Sequence, residues 1–135
     1  MIKRIFILAM MIGLLSFGGQ AQSVSFRFAH LTDLHISPNN PNPTEDLLRS
    51  VAQINATDNI DFVLVTGDIT EEGDRASLEK AKSCLDLLKV KYYMALGNHE
   101  TKWSDSGCTA FGEVFGYERF EFDHKGFLFL GFNSG

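Results

Sequence analysis

The stretch Tyr92-Tyr93-Met94-Ala95-Leu96-Gly97-Asn98-His99-Glu100 decides how this chain is read. An apolar run breaks at a glycine and then presents an amide, an imidazole and a carboxylate in succession. In open α/β sheets, side chains at strand ends project into a crevice instead of into packing. Two earlier segments have the same form. Phe26 to Leu31 runs into Thr32-Asp33-Leu34-His35, and Phe62 to Val65 runs into Thr66-Gly67-Asp68. Three apolar strands, each ending in metal-compatible side chains, set the pattern that the rest of the chain must satisfy.

The segments between these strands read as helices. All three prolines fall between Pro38 and Pro43, a stretch read as a rigid non-helical loop, and Thr44 is the expected cap of the helix after it. Leu47, Leu48, Val51 and Ile54 give that helix an apolar face. Asp74 is the expected cap of a second helix, with Leu78, Ala81, Leu85 and Leu88 inward. The order is then β-α-β-α-β. Helical connections of this length make a parallel sheet, and a parallel sheet places all three polar clusters on one carboxyl-terminal edge.

After Glu100 the text becomes polar. Thr101 to Gly112 reads as a loop, with a helical turn over Ala110 to Phe115. Tyr117 to Asp123 alternates, with Phe120 and Phe122 inward. His124-Lys125-Gly126 reads as a turn, and Phe127 to Phe132 as the second strand of an antiparallel hairpin. A strand that apolar wants a layer on each side, so the chain is expected to be the amino-terminal part of a longer domain.

Composition narrows the partners. Phenylalanine occurs 12 times in 135 residues, which supports a packed core and argues against disorder. The net charge is −5 and becomes two units more negative without Lys3 and Arg4. An acidic domain offers no nucleic-acid surface, because phosphate backbones are held mainly by Lys and Arg. An anionic substrate must therefore be drawn by something other than a basic surface, and a bound cation would do. Residues 1–21 read as an export signal: Lys3 and Arg4, an apolar run from Ile5 to Leu15, then small residues up to a cleavage site near Ala21. That run is shorter than the ~20 residues of a membrane span. Residues 22–135 would form the exported domain, periplasmic or extracellular. Export permits a disulfide, but Cys84 and Cys108 are read as free thiols, one on a helix face and one in a loop.

Asp33 and His35 lie two apart just past a strand, so both can turn toward one point. Carboxylate with imidazole suits Zn, Mn or Fe. Asp68, at the end of the middle strand in this order, has two oxygens and can bridge two cations. Asp33 and His35 can serve one ion and Asn98 the other. Two ions roughly 3.5–4 Å apart clamp the attacking and leaving oxygens of a displacement at phosphorus. Two divalent ions against two aspartates and one hydroxide leave about one positive charge for a phosphate ester. His99 would then stand near the leaving group as general acid, with Glu100 orienting it. His30, within its strand, reads as a core or supporting histidine.

Taken together, Asp33-x-His35, Gly67-Asp68 and Gly97-Asn98-His99-Glu100 resemble the first three motifs of the calcineurin-like metallophosphoesterases, over about Phe26 to Asn133. The resemblance implies a four-layer α/β/β/α sandwich with a dinuclear centre. It implies that Asp33 and His35 bind the first metal, Asp68 bridges, Asn98 binds the second and His99 is the acid. The family completes its site with later histidines in Gly-His and Gly-His-x-His motifs, and none follows His124 here. The purple acid phosphatase branch places a tyrosine three residues after the bridging aspartate. Glu71 stands there instead, which argues against an iron–tyrosinate centre.

The function expected is an exported phosphoesterase that hydrolyses small phosphate mono- or diesters with a hydroxide activated by two divalent or trivalent metal ions, Mn, Fe or Zn. The alternative is a non-catalytic or incomplete fragment that binds metal or phosphate without turnover. A Rossmann-like domain whose polar strand ends are only turns is the third reading.

Overall fold

A computed structural model of the chain describes residues 24–133. The expected export segment and its cleavage site lie outside the described residues. Nine elements follow in order: β1 (Phe28–Leu31), α1 (Asn42–Ala56), β2 (Phe62–Thr66), α2 (Arg75–Leu85), β3 (Lys91–Ala95), α3 (Asn98–Thr101), α4 (Thr109–Phe115), β4 (Phe120–His124) and β5 (Phe127–Gly131). The first three strands form a parallel sheet in the order β1-β2-β3. The last two form an antiparallel hairpin. This is the mixed α/β architecture expected from the sequence, a βαβαβ unit with a parallel sheet followed by an antiparallel hairpin.

Alternation along the central strand sorts the two faces of the sheet. Val63 and Val65 point to the helices, where they join Leu47 and Val51 of α1, Leu78, Ala81 and Leu85 of α2, Met94 of β3 and Phe111 of α4 in one buried core. Phe62, one residue out of phase, points the other way. Its ring lies 5.3 Å from Phe28, 5.1 Å from Phe122 and 5.0 Å from Phe129. Tyr93 stacks on Phe122 at 3.7 Å. The hairpin therefore packs on the sheet through aromatic rings, which bury large areas with few rotamers to fix. Its outer face carries Leu128, Leu130 and Phe132 at 60%, 57% and 68% exposure.

Several boundaries differ from the sequence reading for definite reasons. α1 begins at Asn42, before Thr44, and no side chain caps it; Pro43 lies in its first turn. First-turn N–H groups have no intrahelical partner, so proline loses nothing there and its fixed φ suits the helix. Leu48 is exposed, one step off the stripe of Leu47, Val51 and Ile54. Asp74 does cap α2, accepting the Ser77 N–H at 2.9 Å. β1 starts two residues later than expected, although the Phe26 ring still packs on Phe62 and Phe129. The segment after Glu100 opens inside a short helix and is not loop throughout. Cys84, in the core, and Cys108, just before α4, are both free thiols.

His124 is not part of the turn. It ends β4, paired with Phe127, and the turn is Lys125-Gly126, with φ of 50° and 84°. Positive φ at both central residues is what a two-residue hairpin of matching twist requires. The turn also ties the hairpin to the amino-terminal edge of the sheet. Asp61 receives Lys125 Nζ at 3.0 Å, lies 3.3 Å from His124 Nε2 and accepts the Arg27 N–H at 3.0 Å.

The Arg27 N–H and the Lys125 ammonium hold the Asp61 carboxyl below its ordinary range. A depressed pKa contributes stability above the unfolded-state value and loses it as pH falls through the folded-state value. Asp61→Asn is therefore expected to lower the melting temperature at neutral pH. The gap from the parent chain should close below about pH 4, the ordinary aspartate range, which thermal melts across pH will check.

Candidate metal centre

The parallel ladder continues past the strand ends. Asp33 N–H donates to Gly67 O at 3.3 Å, His35 N–H to Asp68 O at 3.0 Å and Ile36 N–H to Ile69 O at 2.9 Å. Gly67 N–H donates to Ala95 O at 2.9 Å. These bonds lash the three polar clusters to one edge, as the sequence order requires.

Within that frame Asp33, His35 and Asp68 adopt φ of 54°, 47° and 50°. The left-handed region costs a non-glycine residue roughly 1–3 kcal/mol and persists only where its surroundings enforce it. Here the backbone bonds on both sides do so. The result is convergence: one ligand atom from each of the three lies within 4.8 Å of the others. His35 Nε2 is 4.0 Å from Asp33 Oδ1. The Thr32 hydroxyl lies 2.6 Å from Asp33 Oδ2 and 3.0 Å from Thr66 O, so its single proton can restrain the aspartate.

Asn98 enters from β3, exposed, at the start of α3. Its neighbours fix its place. The His99 N–H is 3.4 Å from Asp68 Oδ1, and a methyl group added at Gly97 would overlap that same oxygen and the Asp68 amide. Gly67 in turn packs against Gly97, where a methyl group would come within 2.9 Å of its Cα. Glycine at both positions is a requirement of this close approach, beyond any turn preference.

His99 is buried, with its ring edge-on to His35 at 4.7 Å and to Trp103 at 4.2 Å. Its Nδ1 lies 2.6 Å from the main-chain oxygen of Glu71. The expectation that Glu100 orients His99 is therefore corrected: a backbone carbonyl holds that ring. Glu100 has a different task. At 1% exposure, its carboxylate accepts the Thr70 N–H at 2.9 Å, the Thr70 hydroxyl at 3.1 Å and the Gly97 N–H at 2.9 Å. Three donors satisfy a buried charge and brace the loop after β2 against the start of α3.

Glu71 is the residue that sequence reasoning passed over, beyond noting that it is not tyrosine. Its Oε2 is 3.0 Å from His35 Nδ1, and it forms a second potential cluster with His35 and His99. The spacing signal was available, three residues after Asp68, but its partners come from two other strand ends. His30 is exposed, not in the core, and its Nε2 meets the Thr66 hydroxyl at 2.6 Å.

The donor set consists of carboxylate oxygens and imidazole nitrogens, with no thiol. It fits Mn, Fe or Zn better than a soft ion. A calcineurin-like phosphoesterase description matches residues 26–134. The chain belongs to the calcineurin-like phosphoesterase family. Over 67 residues, 47% of this chain, it is 33% identical to "Uncharacterized protein YvnB" of Bacillus subtilis strain 168. That stretch spans only 5% of the length of YvnB.

Two substitutions test the framework of this calcineurin-like phosphoesterase. Gly97→Ala should cost roughly 1–3 kcal/mol, as overpacking does, and should weaken Mn²⁺ binding by displacing Asp68. Glu100→Ala should cost about 1–3 kcal/mol for each buried donor left unpaired. Chemical denaturation and calorimetric titration measure both.

Proposed function

We propose that the protein is an exported phosphoesterase acting on small phosphate mono- or diesters, with two metal ions held at the carboxyl-terminal edge of the parallel sheet. The observation that carries this reading is the convergence of Asp33, His35 and Asp68 within 4.8 Å, with the backbone leading into Asn98 packed against Asp68. Asp33 and His35 would hold one ion, Asp68 would be shared and Asn98 would serve the other. When bound, such ions polarise a phosphoryl oxygen and acidify water.

The chain's own residues supply the rest. Thr32 restrains the Asp33 carboxylate and Glu100 fixes the corner that carries Asn98 and His99. His99 has Nδ1 occupied by the Glu71 carbonyl. In the imidazolium form, with both nitrogens protonated, Nε2 is therefore the atom placed to give its proton to the departing alcohol oxygen, as general acid. Residues 1–21 fit export, and among the described residues no helix is long and apolar enough to cross a membrane.

A second reading has an observation behind it. Of the four histidines in the sequence, His30 bonds Thr66 and His124 lies beside Asp61. Only His35 and His99 remain near the clustered carboxylates. The chain could then hold one ion without turnover, and calorimetry with Mn²⁺ separates the two readings by a stoichiometry of two ions or one.

The primary reading predicts metal-dependent hydrolysis of a chromogenic phosphate ester, abolished by chelation and by Asp68→Asn. His99→Ala should lower the rate roughly 10²–10⁴-fold, the usual contribution of a positioned acid. Hydrolysis that persists through both chelation and Asp68→Asn would remove the assignment.

A further inference from the structure

We propose that Glu71 is a positioning residue that fixes ring orientation and proton placement in both site histidines, His35 through its carboxylate and His99 through its main-chain carbonyl. What the histidines then hold rests on the metal-dependent reading above; their geometry does not. Glu71 follows β2 on the loop to α2, and its N–H donates to Ile36 O at 3.1 Å. Its backbone is thereby tied to the segment that carries His35. From that anchored position Oε2 reaches His35 Nδ1 at 3.0 Å and the carbonyl oxygen reaches His99 Nδ1 at 2.6 Å.

Carbonyl and ionised carboxylate oxygens only accept hydrogen bonds. Both Nδ1 atoms therefore carry the proton when the rings are neutral, and both Nε2 atoms keep a lone pair. For His35 that lone pair is on the nitrogen nearest Asp33, 4.0 Å from Oδ1. This is the arrangement in which a carboxylate fixes the tautomer and ring orientation of an imidazole. The rings stand edge to face at 4.7 Å, so neither turns over without displacing the other.

The two contacts differ in one testable respect. Substitution at 71 removes the carboxylate but leaves the main-chain carbonyl. Nitrogen–proton correlation spectra of the metal-free chain should show the neutral rings of both His35 and His99 as Nδ1–H tautomers. In Glu71→Ala, His35 should relax to a mixture while His99 stays. Glu71→Gln, whose amide oxygen still accepts, should keep His35 as it was. Calorimetric titration with Mn²⁺ alone should show Kd rising roughly 10–100-fold in Glu71→Ala and less in Glu71→Gln.

A parent chain with His35 in the Nε2–H form overturns the proposal, and that measurement stands even if Glu71→Ala does not fold. So does a Glu71→Ala spectrum in which His35 is unchanged. Weaker Mn²⁺ binding with both tautomers intact would make Glu71 a direct ligand and would also overturn it. Tautomers as expected in a chain without phosphoesterase activity would sink the functional reading and leave this one in place.

Discussion

Three backbone segments leave one sheet edge so close together that no side chain fits between two of them. Gly67 lies against Gly97, and Gly97 lies against the Asp68 carboxylate and amide. A methyl group at either glycine would push the third strand end away from the second. The separation of Asp68 from the Asn98 segment, and with it any shared ion site, is set by that contact. The sheet delivers the segments to the right edge; the glycines decide how near they come.

The site is held by backbone more than by side-chain packing. Ladder bonds run past the strands to Asp33, His35 and Ile36, and the strained conformations at Asp33, His35 and Asp68 sit inside that corset. Glu100 closes the remaining side by binding donors from Thr70 and Gly97 at once. A carboxylate buried this deeply is stable only because each oxygen has donors. At the opposite end, Asp61 and the Phe62 cluster fasten the hairpin to the sheet, far from the chemistry.

Much of this was legible in the sequence because periodicity and order carry it. The spacing of Leu78, Ala81 and Leu85 and the Asp74 cap follow from local rules, and the shared edge follows from parallel order. What was not legible depends on contacts across the chain. Glu100 reads as a partner for its neighbour His99, yet two of its three donors come from Thr70, 30 residues away. Glu71 meets His35 at a separation of 36 residues and His99 at 28, so neither pairing leaves a local trace. Pro43 differs for the opposite reason: proline breaks a helix interior but not a first turn, and the local text does not show which of the two it occupies.

The segments that carry Asp33 and Asp68 hang from main-chain hydrogen bonds, and aspartate and asparagine both tolerate the left-handed conformation found at these two positions. The scaffold is consequently indifferent to which of these short polar groups it displays. Exchange of a single terminal atom there, oxygen for nitrogen, changes the charge displayed at the sheet edge while the surrounding chain keeps its shape.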